Sequence, residues 1–218
     1  RYVSERVPEI LNRPVQKLVS CHLGGSASLC AIKNGQSIDT TMGFSPQDGI
    51  INGTRNGHID PFIIPFMMDR ENLSAKEIQR ILFQESGLLG ISGISEDMRD
   101  LEAAIKEGND RARLAVEAFC YGIKKEIGAF AAALGGLDAI AFAGGIGERG
   151  FGVRKRVCEG LEYLGVHLDP QKNIADSKEG LISTTDSTVD VLIVKTDEER
   201  VVATATAEFL QSRENTPS

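Results

Sequence analysis

Apolar side chains recur along this chain at two different spacings, and each spacing predicts one kind of secondary structure. A return every three or four residues indicates one face of a helix, whereas alternation or a short apolar run indicates a strand. Helices are predicted over residues 1–11, 61–68, 74–84 and 110–134, and after Thr196. Strands are predicted over residues 15–21, 28–33, 36–40, 139–143 and 189–194.

Local signals fix several of these boundaries. Ser74 and Glu77 have the spacing of a capping box at a helix start, and Gly87 is expected to end that helix. Gly135 and the glycine after it stop the long helix. Asn34-Gly35 tolerates positive φ at both turn positions, so the strands on either side are predicted to form a β-hairpin.

Two glycine-rich elements each follow a predicted strand. Residues 22–26 interrupt the first sheet segment, and residues 144–148 form a turn from which a helix is predicted to continue to about residue 164. A long loop with little periodicity covers residues 41–60. Strands and helices therefore alternate in the manner of an α/β protein.

Composition and charge narrow the classes of function. With 218 residues, 41% hydrophobic and 25% charged, the chain can form one large α/β domain or two small lobes. Its net charge of -7 and the lack of a Lys/Arg cluster disfavour nucleic-acid binding. No apolar run reaches the roughly 18 residues of a membrane helix. The four cysteines lack metal-ligand spacing and are expected to be reduced, so a cytoplasmic location is predicted.

The glycine elements suggest a phosphorylated ligand. Glycine at a strand end lets backbone N–H groups approach a phosphate, and a helix beginning there favours anions. Taken singly, each element is equally compatible with a tight turn that binds nothing. Residues 145–150 also match the G-x-G-x-x-G spacing of a dinucleotide site, but they lie late in the chain and the next strand is too distant. No Walker-type phosphate loop occurs.

Arg55 lies between two glycines in the segment Gly53-Thr54-Arg55-Asn56-Gly57. A guanidinium on such a loop can bind a developing phosphoryl charge with two hydrogen bonds. From spacing alone, a surface arginine with no ligand is the alternative.

Several motifs occur in one order along nearly the whole chain, and together the sequence resembles the acetate and propionate kinase family. The motifs are His22-Leu23-Gly24-Gly25-Ser26-Ala27-Ser28, Gly43-Phe44-Ser45-Pro46, Gly53-Thr54-Arg55-Asn56-Gly57, Gly144-Gly145-Ile146-Gly147-Glu148 and Thr196-Asp197-Glu198-Glu199. The resemblance implies a ribonuclease H-like lobe of the actin, sugar kinase and heat-shock ATPase superfamily, with a mixed sheet and flanking helices.

The resemblance also implies roles for particular residues. Arg55 and His22 are expected to be catalytic, with His22 also meeting the nucleotide phosphates, and Pro46 to line the pocket for the acyl methyl group. Glu198 matches the carboxylate associated with magnesium. The other residues expected to bind ATP or ADP are Gly24, Gly25, Ser26, Asp97, Met98, Arg99, Gly145, Ile146, Gly147, Glu148 and Arg149.

The implied reaction is direct, reversible transfer of a phosphoryl group from ATP to acetate, which yields acetyl phosphate and ADP with Mg²⁺. Residues 1–218 are expected to be the C-terminal, nucleotide-binding domain of such an enzyme, without its N-terminal lobe, and to form a homodimer. Two alternatives stay open: a propionate or butyrate kinase, and a non-catalytic module that binds nucleotide or dimerises.

The sequence departs from the family pattern at three points. Gly25 and Ser26 stand where the family commonly has an asparagine followed by glycine, Arg149 stands where asparagine is usual, and His58 replaces a more familiar Asp or Ser. A change in nucleotide preference is one expected consequence.

Overall fold

A computed structural model describes residues 1–174, 178–197, 199, 201–203, 206, 207 and 209. Its helices are α1 (Tyr2–Leu11), α2 (Ile63–Glu71), α3 (Ala75–Gln84), α4 (Gly87–Ser92), α5 (Met98–Lys106), α6 (Asp110–Leu134), α7 (Gly144–Arg149) and α8 (Phe151–Cys158), with a 3₁₀ turn at Glu162–Leu164. Its strands are β1 (Lys17–Leu23), β2 (Ala27–Lys33), β3 (Gln36–Thr40), β4 (Ala139–Ala143), β5 (Gly180–Leu181) and β6 (Asp190–Ile193).

The strands form one mixed sheet in the order β3-β2-β1-β4-β6-β5. Strands β1, β2 and β3 are antiparallel neighbours, whereas β1, β4 and β6 run parallel. The predicted hairpin is confirmed, since Asn34 and Gly35 both have positive φ, at 51° and 79°.

Helices cover both faces of the sheet, as expected for a ribonuclease H-like lobe. On one face the long helix α6 crosses β1 and β2 and contacts α4, α5 and α8. Its buried side chains, such as Phe119, Ile123 and Ile127, join the larger core with Val19 and Cys21 of β1. On the other face α1 places Val7 against a smaller apolar cluster that includes Leu18, Ala141 and Leu192. Neighbouring residues of β1 therefore point into different cores.

Most predicted elements are present, and the differences have local causes. Strand β1 continues through His22 and Leu23, because both pair with β2, so the interruption shrinks to residues 24–26. Helix α3 has the predicted capping box at Ser74 and ends at Gln84, as predicted. Gly87, which was expected to end this helix, instead begins α4. Helices α4 and α5 were not predicted, because both are short and lie among polar, glycine-containing residues.

The second glycine element differs most from its prediction. Helix α7 begins at Gly144 itself, immediately after β4, so the glycines form the helix instead of a turn before it. The chain leaves helical geometry at Gly150, where φ is −80° and ψ is 69°, and α8 then ends at Cys158 instead of near residue 164. Two short helices with different directions thus replace the single predicted one.

The C-terminal part of the chain is only partly described. The described positions 199, 201–203, 206, 207 and 209 are helical, in agreement with the helix predicted after Thr196. Glu198, the expected magnesium-associated carboxylate, lies outside the described residues. Among the helices that the structure describes, none combines the length and the apolar character needed to cross a lipid bilayer. The four cysteines are free thiols.

Candidate functional site

A cleft of about 450 Å³ opens beside the ends of β1 and β4. Four segments that are far apart in sequence form its walls: the β1–β2 turn, the long loop, the start of α5 and the helix α7. The residues that line it are Gly24, Gly25, Gly53, Glu96, Asp97, Met98, Arg99, Glu102, Gly145, Ile146, Arg149 and Gly150. Eight of the residues that the sequence predicted for nucleotide binding are in this set: Gly24, Gly25, Asp97, Met98, Arg99, Gly145, Ile146 and Arg149.

The tight β1–β2 turn forms one wall. Gly24 donates its backbone N–H to the carbonyl of Ser26 over 3.0 Å, which closes the turn. A side chain at Gly25 would meet no protein atom within 4 Å, so this residue faces open space in the cleft. Ser26 is exposed but does not line the cleft. The wall is therefore bare backbone, which a bulky anion can approach closely.

The start of α7 lies directly against the end of β1. A Cβ atom on Gly144 would come within 2.7 Å of the Leu23 carbonyl oxygen and 3.2 Å of His22 Nε2, and its φ is 76°. Only glycine fits this position. The close approach places Gly145 in the cleft beside Gly24, and it places the half-exposed His22 one residue behind the wall.

A buried asparagine holds the long loop beside these glycines. The side-chain oxygen of Asn52, 2% exposed, accepts the backbone N–H of Ala27, while its amide donates to the Ile50 carbonyl over 3.1 Å. The first N–H groups of α4 also bond this loop, since Leu88 donates to the Asn52 carbonyl and Leu89 to the Gly53 carbonyl, each over 2.9 Å. Gly53 is thereby fixed in the cleft wall.

Arg55 follows on the same anchored loop, and the structure brings it together with Pro46. Its Nη1 donates to the Pro46 carbonyl over 3.3 Å, and its guanidinium carbon lies 5.1 Å from the centre of the Phe83 ring. Neither Arg55 nor Pro46 lines the cleft, although Gly53, two residues before Arg55, does. The arginine is half-buried.

The N-terminus of α5 forms the opposite wall. Asp97 caps the helix by accepting the backbone N–H of Arg99 over 2.9 Å, and the Arg99 guanidinium bonds the same carboxylate, with Nη2 2.5 Å from Oδ2. These hydrogen bonds to Arg99 lower the pKa of Asp97 to about 2. Glu96 and Glu102 add further carboxylates to this wall, whereas Arg149 is the one charged residue that the glycine walls contribute.

Two residues of α7 that were predicted to bind nucleotide lie on the side of the helix that faces away from the cleft. Gly147 is buried against Phe142 of β4. Glu148 turns its carboxylate away, and one oxygen accepts both the backbone N–H and the hydroxyl of Thr196 over 3.1 Å. Within the described part of the chain, Glu148 therefore connects α7 to the segment that leaves β6.

The described residues hold no group of three or more His, Cys, Asp or Glu side chains positioned to bind a metal ion. A Mg²⁺ ion bound to a nucleotide does not need such a group, because it keeps several waters and takes only one or two carboxylates besides the phosphates. Thr196, two residues before the predicted ligand Glu198, bonds the Glu148 carboxylate.

Four residues that line the cleft, Gly53, Glu96, Glu102 and Gly150, and the anchoring Asn52 were not assigned to the site from sequence. Asn52 lies among the polar residues of a loop, which hid its anchoring role. The available sequence signal for that role was the apolar residue before it and the glycine after it. Glu96 and Glu102 carried no signal, because their place in the wall depends on how α5 packs.

Comparison with known proteins places this geometry in context. The sequence model of the Acetokinase family matches residues 1–204. The chain is 51% identical to the acetate kinase of Thermoanaerobacterium thermosaccharolyticum over 215 residues, which cover 97% of this chain and 54% of that protein. It is 53% identical over 207 residues to the acetate kinase of Dictyoglomus thermophilum, covering 94% of this chain and 52% of that protein.

Solved structures give the same result. The acetate kinase of Porphyromonas gingivalis superposes with a TM-score of 0.92 at 42% identity, covering 95% of this chain and 53% of that one. A propionate kinase from Francisella tularensis superposes with a TM-score of 0.85 at 38% identity, covering 91% of this chain and 50% of that one. The chain thus spans about half the length of the relatives it matches.

Proposed function

Because the chain belongs to the Acetokinase family, we propose that it binds ATP or ADP in the cleft and serves in reversible phosphoryl transfer between ATP and acetate. The observation that carries this proposal is the cleft itself, where the glycine turn after β1 and the glycine-rich start of α7 face the polar start of α5. The relatives named acetate kinase are about twice as long as this chain, so the transfer reaction is proposed for this chain and not carried over from them.

The phosphates of the nucleotide are assigned to the glycine side of the cleft. The bare backbone at Gly24, Gly25 and Gly145 admits a bulky anion, and Arg149 supplies a positive charge there. Ser26, just beyond the turn, can add a hydroxyl donor.

The adenosine is assigned to the part of the cleft between α5 and α7. Met98 and Ile146 give an apolar surface for the base, while the carboxylate of Asp97 can accept hydrogen bonds from ribose hydroxyls. Arg99 holds that carboxylate in its ionised form. Gly147 and Glu148 face away from the cleft, so they are proposed to contribute by holding α7 in place.

Arg55 and His22 are the proposed catalytic residues. Arg55 sits on a loop anchored from both sides, and its guanidinium can bind the transferring phosphoryl group with two hydrogen bonds. His22 lies at the end of β1 beside Gly144, where it can donate to a phosphate oxygen. Pro46, which contacts Arg55 through its carbonyl, is proposed to border the methyl group of the acid.

We propose Mg²⁺ as the metal, held by the nucleotide phosphates and by Glu198. A bound Mg²⁺ would neutralise charge that develops on the phosphates during transfer. The bond from the Thr196 N–H to the Glu148 carboxylate, two residues before Glu198, supports this assignment.

Two measurements test this proposal. Calorimetric titration with Mg-ADP should show one site per chain, and acyl phosphate formation from ATP should follow the order acetate, propionate, butyrate. The transfer assay is run with the chain alone and after adding the remaining part of a full-length relative. Failure of a folded chain to bind Mg-ADP would overturn the nucleotide assignment. Binding without transfer under both conditions would favour the non-catalytic module.

A homodimer and a cytoplasmic location complete the proposal. Helix α2 has no buried residue, although several of its side chains are apolar. Phe62 and Phe66 are 78% and 58% exposed, and Ile63 and Met68 are exposed beside them. An apolar surface of this kind indicates an interaction site, and a second copy is the proposed occupant. Sedimentation at increasing protein concentration should show association that Phe66→Ser weakens. The free thiols agree with a reducing compartment.

A further inference from the structure

Behind the cleft, an arginine is completely buried, and among the residues that the structure describes it has no acidic partner. Arg154 in α8 is 0% exposed. Its Nη1 donates to the carbonyls of Gly147 and Glu148, both over 2.8 Å, and its Nε donates to Asn173 Oδ1 over 2.7 Å. A longer contact of 3.4 Å joins Nη2 to the Ile174 carbonyl. Every acceptor among these is a neutral oxygen.

The two short bonds go to the end of α7. The last carbonyls of a helix have no partner inside it, and α7 ends at the break around Gly150. A Cβ atom on Gly150 would lie 2.5 Å from the Ile146 carbonyl oxygen, so the break requires glycine at this position. Arg154, four residues further on, reaches back and satisfies the carbonyls that the break leaves exposed. A cation at this end of a helix is also favoured by the helix dipole.

Burying a guanidinium is costly, and stability alone does not explain it. Desolvation lowers the pKa of Arg154 to about 10, which shows that the surroundings disfavour its charge. An apolar side chain of similar size often stabilises such a position as well or better. What an apolar side chain cannot do is hold two carbonyls of a separate helix at fixed positions.

We propose that Arg154 is a positioning residue for nucleotide binding, fixing the orientation of α7 from behind while the other side of that helix forms a wall of the cleft. This inference rests on the proposed function. Gly145, Ile146 and Arg149 lie on the cleft side of α7, whereas Gly147 and Glu148 give their carbonyls to Arg154 on the far side.

The same arrangement extends to the segment after β6. The backbone of Glu148 is held by Arg154, and its carboxylate holds Thr196. Loss of the guanidinium therefore frees both the cleft wall and the contact that positions Thr196. The proposed metal ligand Glu198 follows two residues later, so dependence of nucleotide affinity on Mg²⁺ should weaken together with affinity itself.

The experiment measures Mg-ADP affinity by calorimetry on the full chain, at a temperature where each variant is folded by circular dichroism. Arg154→Met should raise the dissociation constant at least tenfold, and Arg154→Lys, which can still donate to one carbonyl, should raise it less. Val157→Ala is the matched control, because Val157 is 0% exposed on the same helix and its apolar side chain makes no hydrogen bond to the carbonyls of α7. It should change the dissociation constant less than twofold.

A second readout and a milder variant keep the inference falsifiable if Arg154→Met does not fold. Asn173→Ala removes one bond to the guanidinium and should weaken binding twofold to fivefold. Backbone hydrogen exchange at residues 145–150 should accelerate in both variants while α6 is unchanged. If the unaltered chain fails to bind Mg-ADP, the proposed function is wrong. If it binds and the Arg154 and Asn173 variants bind equally well, or Val157→Ala weakens binding as much, the positioning role is wrong.

Discussion

The side-chain oxygen of Asn52 accepts the backbone N–H of Ala27, the first residue of β2, inside the protein. This bond joins the long loop to the β1–β2 turn, so Gly53 and the turn glycines line one cleft. The buried Asn52 amide and the start of α4 are thus two of the anchors of the loop that carries Arg55.

Replacing Asn52 with alanine should lower both stability and nucleotide affinity. The change leaves the buried N–H of Ala27 without an acceptor, which costs about 1–3 kcal/mol. Urea unfolding measures the loss, and Gln36→Ala in the exposed strand β3 serves as a control that should be near neutral. Equal stability of the two variants would mean that the Asn52 bond contributes nothing.

Two glycine substitutions should differ in whether they lower stability or weaken Mg-ADP binding. Gly144→Ala forces a side chain onto a residue with φ of 76° and into the Leu23 carbonyl, so unfolding should become easier by more than the roughly 1–2 kcal/mol that the left-handed conformation costs alone. Gly25→Ala meets no protein atom, so stability should be unchanged while the added methyl group weakens Mg-ADP binding. Thermal unfolding and calorimetry on both variants separate the effects. A stable Gly144→Ala variant would contradict the packing described.

Arg55→Ala should reduce acyl phosphate formation about 10²- to 10³-fold in an assembly active for that reaction, because one donor to the developing phosphoryl charge is lost. Arg55→Lys should recover little, since lysine lacks the planar pair of donors. Arg113→Ala, which changes another exposed arginine, should retain activity. Unchanged turnover in Arg55→Ala would show that this arginine is not catalytic.

The pairing of Asp97 with Arg99 predicts a dependence of stability on pH. The pKa of Asp97 falls from 3.8 to about 2 on folding, so its contribution is complete above about pH 4 and is lost as the pH falls toward 2. Asp97→Asn keeps a helix cap but has no charge. Urea midpoints should therefore differ more between the two proteins at pH 6 than at pH 2.5. A difference independent of pH would contradict the assignment.

Thiol reactivity should distinguish one cysteine from three. Burial raises the pKa of Cys120 and of Cys158 to about 12, and that of Cys21 well above its usual range. Cys30 is half-buried, with its Sγ 3.0 Å from Ser37 Oγ. At pH 8 a disulfide reagent should label Cys30 alone in the native chain and all four thiols in denaturant. Rapid labelling of a second thiol would indicate local opening of the core.

Much of the architecture could be predicted from sequence because its determinants are local. Helix α6 has a long apolar repeat, a capping asparagine at its start and Gly135 at its end, and the structure gives the predicted bounds 110–134. The β2–β3 hairpin follows from Asn34-Gly35, whose backbone preference needs no tertiary contact. The family was recognised from the order of several motifs, and the comparisons confirm it.

Other features depended on contacts that no local pattern encodes. Residues 144–149 are helical and not a turn, because β4 ends directly against β1 and only glycine fits there. Helix α5 has a weak sequence signal, and its packing against α6 is what brings Asp97 into the cleft.

The amino-acid sequence was enough to predict most of the helices and strands, the family and the residue types available for phosphate chemistry, since propensity, turn chemistry and motif order are properties of neighbouring residues. Only the tertiary structure decided that Gly25, Asp97 and Arg149 share one cleft while Glu148 turns toward Thr196. It also decided that Arg154 supports α7 from behind. The physical reason is that burial and hydrogen bonding between distant segments depend on how the sheet and helices pack, which spacing along the chain does not specify.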